Sequence, residues 1–324
     1  GNNNNISIAD TNGDGLGDLL VGIPQGENFQ SPSGGGEVLL LFGGPHINDI
    51  TSPLDMGVRD NFDVLWYTDD SYDYLGQSLA VTEADPAVPG NRPWLALGAS
   101  QADDNFEGEG NTGVVYLLEG GPRLNAATDI LLPATTEALE IYGWESHEYT
   151  GQSVVFGDVD ADGLADLIIG GPLSEGPKRD DDARKGRVYC VFGSTLEAAT
   201  QPLSLKDDFD LVIYGDRKRD EFGYALAAGK LLDEATPGMN IAASAWMGEG
   251  LDPKRNDDTG QAYVFSALGG APVPVKPGDL NADGRVDYLD VFHLSVPEET
   301  APAAVDKNEI LSGLLPLLRA WSTR

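Results

Sequence analysis

Asp158, Asp160, Asp162 and Asp166 lie in Phe156-Gly-Asp-Val-Asp-Ala-Asp-Gly-Leu-Ala-Asp-Leu-Ile-Ile-Gly-Gly-Pro172, acids at alternate positions followed by a short apolar run. Alternate side chains of a tight loop can converge on one point, and hard carboxylate oxygens are what Ca²⁺ prefers. Gly163 comes directly after the third acid, where a sharp bend favours a residue without Cβ. The same grammar recurs at Asp10, Asn12, Asp14 and Asp18 with Gly15 in the bend, and at Asp279, Asn281, Asp283 and Asp287 with Gly284. Three occurrences in one chain are more than acidic composition alone explains. Bound Ca²⁺ is therefore expected at each.

The chain around these loops has 324 residues, 41% hydrophobic, with 41 Gly and 20 Pro. Such a composition supports a packed core and many turns, as in all-β folds of short strands. A formal net charge of −33 argues against nucleic acid or an anionic membrane as partner, because no basic surface is left to offset phosphate. Part of that acidity is expected to be balanced by divalent cations. Cys190, the single cysteine, sits in an apolar run and is expected to be a small buried hydrophobe. No stretch reaches the roughly 18 apolar residues of a membrane span. The opening glycine and asparagine run suggest a fragment or trimmed chain.

The elements that must position the loops repeat. Gly36-Glu-Val-Leu-Leu-Leu-Phe42, Gly113-Val-Val-Tyr-Leu-Leu118, Gly186-Arg-Val-Tyr-Cys-Val-Phe192 and Gly260-Gln-Ala-Tyr-Val-Phe265 recur at intervals of about 75 residues. Each reads as a strand after a glycine turn. Further strand series are 19–23, 94–97, 167–170 and 241–245, then 64–67, 139–142 and 211–214. A fourth series opens units after the first at Leu75-Gly76, Thr150-Gly151 and Phe222-Gly223. Four strands per unit without room for a crossover helix describe antiparallel sheets. Repeated radially, such sheets are propeller blades, each needing neighbours to bury its faces. The acidic loops fall between the first and second strands of units one and three. The matching segments 83–90 and 231–237 lack alternating acids, so no tight metal is expected there.

This pattern resembles the FG-GAP repeats of the integrin α-subunit propeller, over roughly residues 6–267. Phe222-Gly223 and its Leu75-Gly76 and Thr150-Gly151 variants match the "FG" element. Leu97-Gly-Ala-Ser100, Ile169-Gly-Gly-Pro172 and Val21-Gly-Ile-Pro24 match the "GAP" element. The resemblance implies an all-β propeller with more blades than the four units present. The first unit lacks its opening Gly element and the fourth lacks an obvious last strand, so either the parent propeller continues upstream, which is the expectation favoured, or this is an unusually small propeller. The resemblance also implies two ligand sets. One is Asp10, Asn12, Asp14 and Asp18 with the Leu16 carbonyl; the other is Asp158, Asp160, Asp162 and Asp166 with the Leu164 carbonyl.

The residues just after each loop separate two architectures. After Asp18 and Asp166 come apolar strands, with Val21 and Ile169 at position 12, where an EF-hand requires an acid. Those two are β-hairpin calcium loops. The third has Asp290 at position 12, and Val286, Leu289, Phe292 and His293 lie at helical spacing. It resembles half a dockerin module, with Asp279, Asn281, Asp283, Asp287, Asp290 and the Arg285 carbonyl as the implied ligands. A second half over 305–311 repeats the helix pattern. Its loop has Pro302 and Ala303 in place of an acid and the glycine, so that site reads as inactive. The domain reading is a propeller segment over 1–267, a Pro-rich linker over 268–278 and a loop–helix module over 279–324, whose partner class would be cohesin-like.

No Gly-x-Ser-x-Gly elbow, His-Glu-x-x-His or phosphate loop is present, and His46, His147 and His293 form no ligand pair. Among the tryptophans, Trp66 and Trp94 read as core and Trp144 as the best exposed candidate for stacking on sugar. The loops 25–36, 101–113, 173–186 and 247–260 occupy equivalent places in each unit, where recognition usually resides. The expectation is a secreted, calcium-binding, non-enzymatic propeller that recognises protein or glycan, with an anchoring tail. One rival is an accessory region of a secreted polysaccharide-degrading enzyme. The other is a glycan-cleaving enzyme that uses loop carboxylates.

Overall fold

The computed structural model describes residues 5–265, apart from 28–33, 46, 48–52, 83–91, 104–109, 127–128, 133–137, 176–183, 232–237 and 249–259. The linker, the tail loop with Asp279, Asn281, Asp283, Arg285, Asp287 and Asp290, and His46 and His293 lie outside the described residues.

Four sheets succeed one another along the chain. The first holds β1 (Ile6–Ala9), β2 (Asp18–Ile23), β3 (Glu37–Leu41) and β4 (Val64–Thr68). The second holds β5 (Leu75–Val81), β6 (Trp94–Ala99), β7 (Val114–Glu119) and, after β8 (Asp129–Leu132), β9 (Ala138–Tyr142). The third holds β10 (Ser153–Gly157), β11 (Asp166–Gly171), β12 (Arg187–Val191) and, after β13 (Leu203–Ser204), β14 (Leu211–Tyr214). The fourth is three-stranded, β15 (Phe222–Gly229), β16 (Asn240–Ala245) and β17 (Gln261–Phe265). Apart from β8 and β13, the strands of each sheet run antiparallel in up-and-down order. The architecture is the all-β one the repeats imply.

The first unit has the opening strand its loop implied, Ile6–Ala9 pairing with β2 without a Gly element. Two features lie beyond the sequence reading. A short helix, α1 (Gly193–Ala198), comes after β12. Two extra strands also run parallel on the preceding sheet: β8 on β4, and β13 on β9. Each is a loop segment that straps its own unit to the outer edge of the one before.

Consecutive sheets stack face to face, since the inner strands such as β3, β7, β11 and β12 are largely apolar and buried on both sides. Leu20, Val38, Leu40, Val64 and Trp66 of sheet one meet Leu79, Leu95, Leu97 and Tyr116 of sheet two. Ala80, Ala96, Val115 and Leu117 of sheet two then meet Val154, Leu167, Ile169 and Tyr189 of sheet three. Val188, Cys190 and Ile213 of sheet three meet Ile241 and Ala243 of sheet four. Cys190 is buried and unbridged, as expected.

The glycines of the repeat have a packing reason. Gly170 of β11 abuts the start of β15, and a Cβ on it would stand 2.1 Å from the Gly223 carbonyl oxygen. The same contact joins Gly98 to Gly151 at 2.3 Å and Gly22 to Gly76 at 2.2 Å. The "GAP" glycine of one sheet therefore touches the "FG" glycine of the next, with backbone against backbone. Only a residue without a side chain permits that approach.

Candidate metal centre

The third-sheet loop joins β10 to β11, whose pairing of Gly157 with Asp166 closes its neck. Two residues inside it have left-handed backbone, Ala161 at φ 67° and Gly163 at φ 90°. These turns fold the alternating acids back toward the neck. Carboxylate oxygens of Asp158, Asp160 and Asp166 lie within 4.8 Å of one another, the one such group among the described residues. Asp158 Oδ1 is buried without a hydrogen-bond donor.

Asp166 is fully buried and accepts hydrogen bonds from the Val159 amide at 2.7 Å and the Gly193 amide at 2.9 Å. It thereby ties the loop to the residue that opens α1. Burial pushes its carboxyl up to about 7 against those two bonds. Burial likewise raises Asp160, with the charges of Asp162 and Asp158 adding to the shift. Clustered, desolvated carboxylates with an unsatisfied oxygen are an incomplete electrostatic arrangement of the kind a hard divalent cation would complete. Asp162 is exposed, and its Oδ1 accepts the Leu164 amide at 2.8 Å.

The first-sheet loop has the same outline with a different internal arrangement. Gly13 and Gly15 take the left-handed positions. Asp18 is fully buried and brackets Thr11 at 2.8 Å and Gly43 at 2.8 Å, as Asp166 does Val159 and Gly193. Asp10, by contrast, already accepts from the amides of Gly13, Asp14 and Gly15. Asn12 donates to Asp14 and to Asn125, and the Leu16 amide donates to Asp14 Oδ1 at 2.8 Å. The acids of this loop thus do not converge as Asp158, Asp160 and Asp166 do, because its amides occupy them.

A second polar cluster lies between sheets two and three. Arg187 of β12 is fully buried, 2.6 Å from Glu145 and 3.6 Å from Glu148, with its guanidinium 4.2 Å from the centre of the Trp144 ring. Tyr189 donates to Glu148 at 2.5 Å. Burial raises the Glu148 carboxyl although Arg187 pulls it down. The turn holding both glutamates contains left-handed His147 and Tyr149. Its counterparts carry left-handed Tyr72 and Tyr74, then Arg219 and Glu221. Sequence reasoning missed this ion cluster. The available signal was an arginine and a Glu-x-x-Glu pair set inside otherwise apolar repeats. Trp144, expected to be a free stacking face, packs on Arg187 instead. Among the described residues the exposed tryptophan is Trp246, with Nε1 donating to Glu221 at 2.6 Å.

The acidic loop and the strands that hold it belong to a single sheet, and the family match falls on that sheet. Residues 150–189 match the FG-GAP repeat family. This FG-GAP stretch contains β10, the acidic loop, β11 and the start of β12. Over 176 residues the chain is 31% identical to integrin alpha-PS2 of Drosophila melanogaster, covering 53% of this chain and 11% of that protein. It is 28% identical over 223 residues to phosphatidylinositol-glycan-specific phospholipase D of Rattus norvegicus, and 26% over 228 residues to that of Mus musculus. Each of these matches takes in 68% of this chain and 24% of the relative. The chain spans a quarter or less of the length of the curated relatives it matches. Among the described residues, no helix is long and apolar enough to cross a membrane.

Proposed function

We propose that this chain is a secreted, calcium-stabilised FG-GAP module that recognises a protein or glycan through the loops at the ends of its sheets. The observation that carries the calcium reading is the convergence of Asp158, Asp160 and Asp166 around the unsatisfied Asp158 oxygen. Asp158, Asp160, Asp162 and Asp166 with the Leu164 carbonyl would hold the ion. Asp10, Asn12, Asp14 and Asp18 with the Leu16 carbonyl would hold a second, weaker one after Asp10 releases its amides. Bound Ca²⁺ would neutralise clustered carboxylates and fix the hairpin. Chemistry on a substrate is no part of this role. The tail at Asp279–Asp290 would bind a further ion and serve as a dockerin-like anchor for a cohesin-like partner.

The recognition reading is supported by the stretch shared with one protein named as an integrin subunit and others named as phospholipases. A module common to such different proteins, and a minor share of each, reads as a scaffold. The second reading, an accessory region of a larger secreted enzyme, draws on the same phospholipase matches. Binding of the purified chain to glycan arrays and immobilised extracellular proteins, in calcium and in chelator, tests the proposal. Calcium-dependent binding without turnover of the bound glycan supports it. Hydrolysis of a bound glycan or lipid would refute the non-catalytic role.

A further inference from the structure

Loop and turn meet in the same way at three junctions between sheets. The Leu75 amide donates to the Gly35 carbonyl at 2.9 Å, the Thr150 amide to Thr112 at 3.0 Å and the Phe222 amide to Lys185 at 3.0 Å. The residue before each acceptor has left-handed backbone, Gly34 at φ 71°, Asn111 at φ 54° and Arg184 at φ 40°. So do Tyr72, His147 and Arg219 in the three turns. The first two junctions take this shape without a lysine or arginine in either segment, so the fold itself needs none there.

At the third junction the same two segments carry five cations. The Arg184 and Lys185 carbonyls accept from the amides of Glu221 at 3.2 Å and Phe222 at 3.0 Å, and the turn they hold bears Arg217, Lys218 and Arg219. That run is the one place in the sequence where three cations are consecutive. Arg184, Lys218 and Arg219 are exposed, and Lys185 and Arg217 are half-buried. Of the acids in the turn, Asp216 is exposed, whereas Asp220 and Glu221 are buried. The net charge of −33 conceals this patch, which only the fold assembles. Arg184 also keeps a left-handed backbone that glycine, present there in the first junction, adopts without strain. The patch lies at the end of the sheets away from the acidic loop, because β10 and β11 turn at one end and the β11–β12 and β14–β15 connections at the other.

We infer that this patch binds an anionic glycan, one bearing sulfate or carboxylate groups. The inference rests on the recognition role proposed above and names a ligand class for it. Arginine forks match sulfate and carboxylate with paired hydrogen bonds, and lysine adds charge. No large apolar side chain is exposed at residues 184–187 or 215–222, whereas a protein partner is anchored mainly by buried aromatic and apolar contacts. The rest of the chain repels a long polyanion, but at physiological salt that repulsion fades beyond about 8 Å, so a short anionic segment is held locally.

Titration calorimetry of the full chain with a heparin octasaccharide, at equal calcium in cell and syringe, tests this. Binding is expected, and Arg184→Asn combined with Arg219→Asn should weaken it at least about tenfold, the equivalent of one charge-assisted hydrogen bond. Asparagine tolerates left-handed backbone and stands at the Arg184 position in the second junction, and thermal melting checks that the double variant stays folded. Lysine at both positions keeps the charge and should restore part of the affinity. Lys218→Glu alters an exposed residue and should weaken binding in the same direction. A wild type that ignores the octasaccharide, variants that bind it as tightly, or equal affinity for poly-glutamate or a single-stranded oligonucleotide would overturn the inference. In that case, capture of a neutral glycan or an extracellular protein by the same chain leaves the recognition role standing, and failure to capture either overturns both.

Discussion

Glu37 opens β3 at the register position that Arg187 holds in the third sheet, pairing with Ile23 and Tyr67 as Arg187 pairs with Gly171 and Tyr214. Its side chain is fully buried, and neither carboxylate oxygen has a hydrogen-bond partner. Burial pushes its carboxyl from 4.5 up to about 7. The folded chain therefore keeps a proton that the unfolded chain releases near pH 4.5. Between those values the unfolded state binds fewer protons, so stability falls as pH rises and levels off above about pH 7. A shift of that size corresponds to a loss on the order of 3 kcal/mol. Glu37→Gln stays neutral throughout. It should match the wild type near pH 4.5 and exceed it by about 3 kcal/mol at pH 8. Urea unfolding of both proteins across this range measures the gap, and the comparison at each pH cancels the shared titrations of the calcium ligands. A gap that is constant with pH, or one that favours Glu37 at pH 8, would refute the reasoning.

Gly170→Ala should destabilise by about 1–3 kcal/mol, because its Cβ meets the Gly223 carbonyl at 2.1 Å, whereas Gly229→Ala meets nothing within 4 Å and should be near neutral in the same denaturation assay. Ala161→Gly relieves a left-handed alanine at φ 67° where the first loop has Gly13, and should raise stability by about 0.5–1 kcal/mol in thermal melts. Arg187→Leu strands two buried glutamates and should cost about 3–5 kcal/mol in urea unfolding; adding Glu145→Gln and Glu148→Gln removes the stranded charges, keeps acceptors for the Trp144, Glu145 and Glu175 amides, and should restore part of it.

The sheets were legible because their determinants are local. Short continuous apolar runs rich in β-branched and aromatic residues, each opened by a turn glycine at Gly36, Gly113 or Gly186, mark strands, and the "FG" and "GAP" glycines mark where backbones touch. The acidic loops were legible for the same reason, since a turn glycine and alternating acids act within nine residues of chain. The features that stayed hidden depend on partners distant in sequence. β8 and β13 are too short to announce themselves and form only because an outer strand of the preceding sheet offers a free edge. Arg187 and Glu145 are 42 residues apart, and only the stacking of sheets two and three brings them together. The difference between Asp10 and Asp158 was equally invisible, because both head the same motif. One carboxylate is taken by loop amides and the other has a free buried oxygen.

The central claim is that the Asp158 cluster holds calcium, and Asp158→Asn tests it most directly by removing charge at the unsatisfied oxygen while keeping the side chain's shape. At dissociation constants of about 10⁻⁴ to 10⁻³ M, millimolar Ca²⁺ adds roughly 0.4–1.4 kcal/mol per site. Titration calorimetry should show one binding event fewer in the variant than in the wild type, and calcium should raise the wild-type melting temperature more than the variant's. Identical calcium isotherms for the two proteins, with melting unchanged between calcium and chelator, would contradict it.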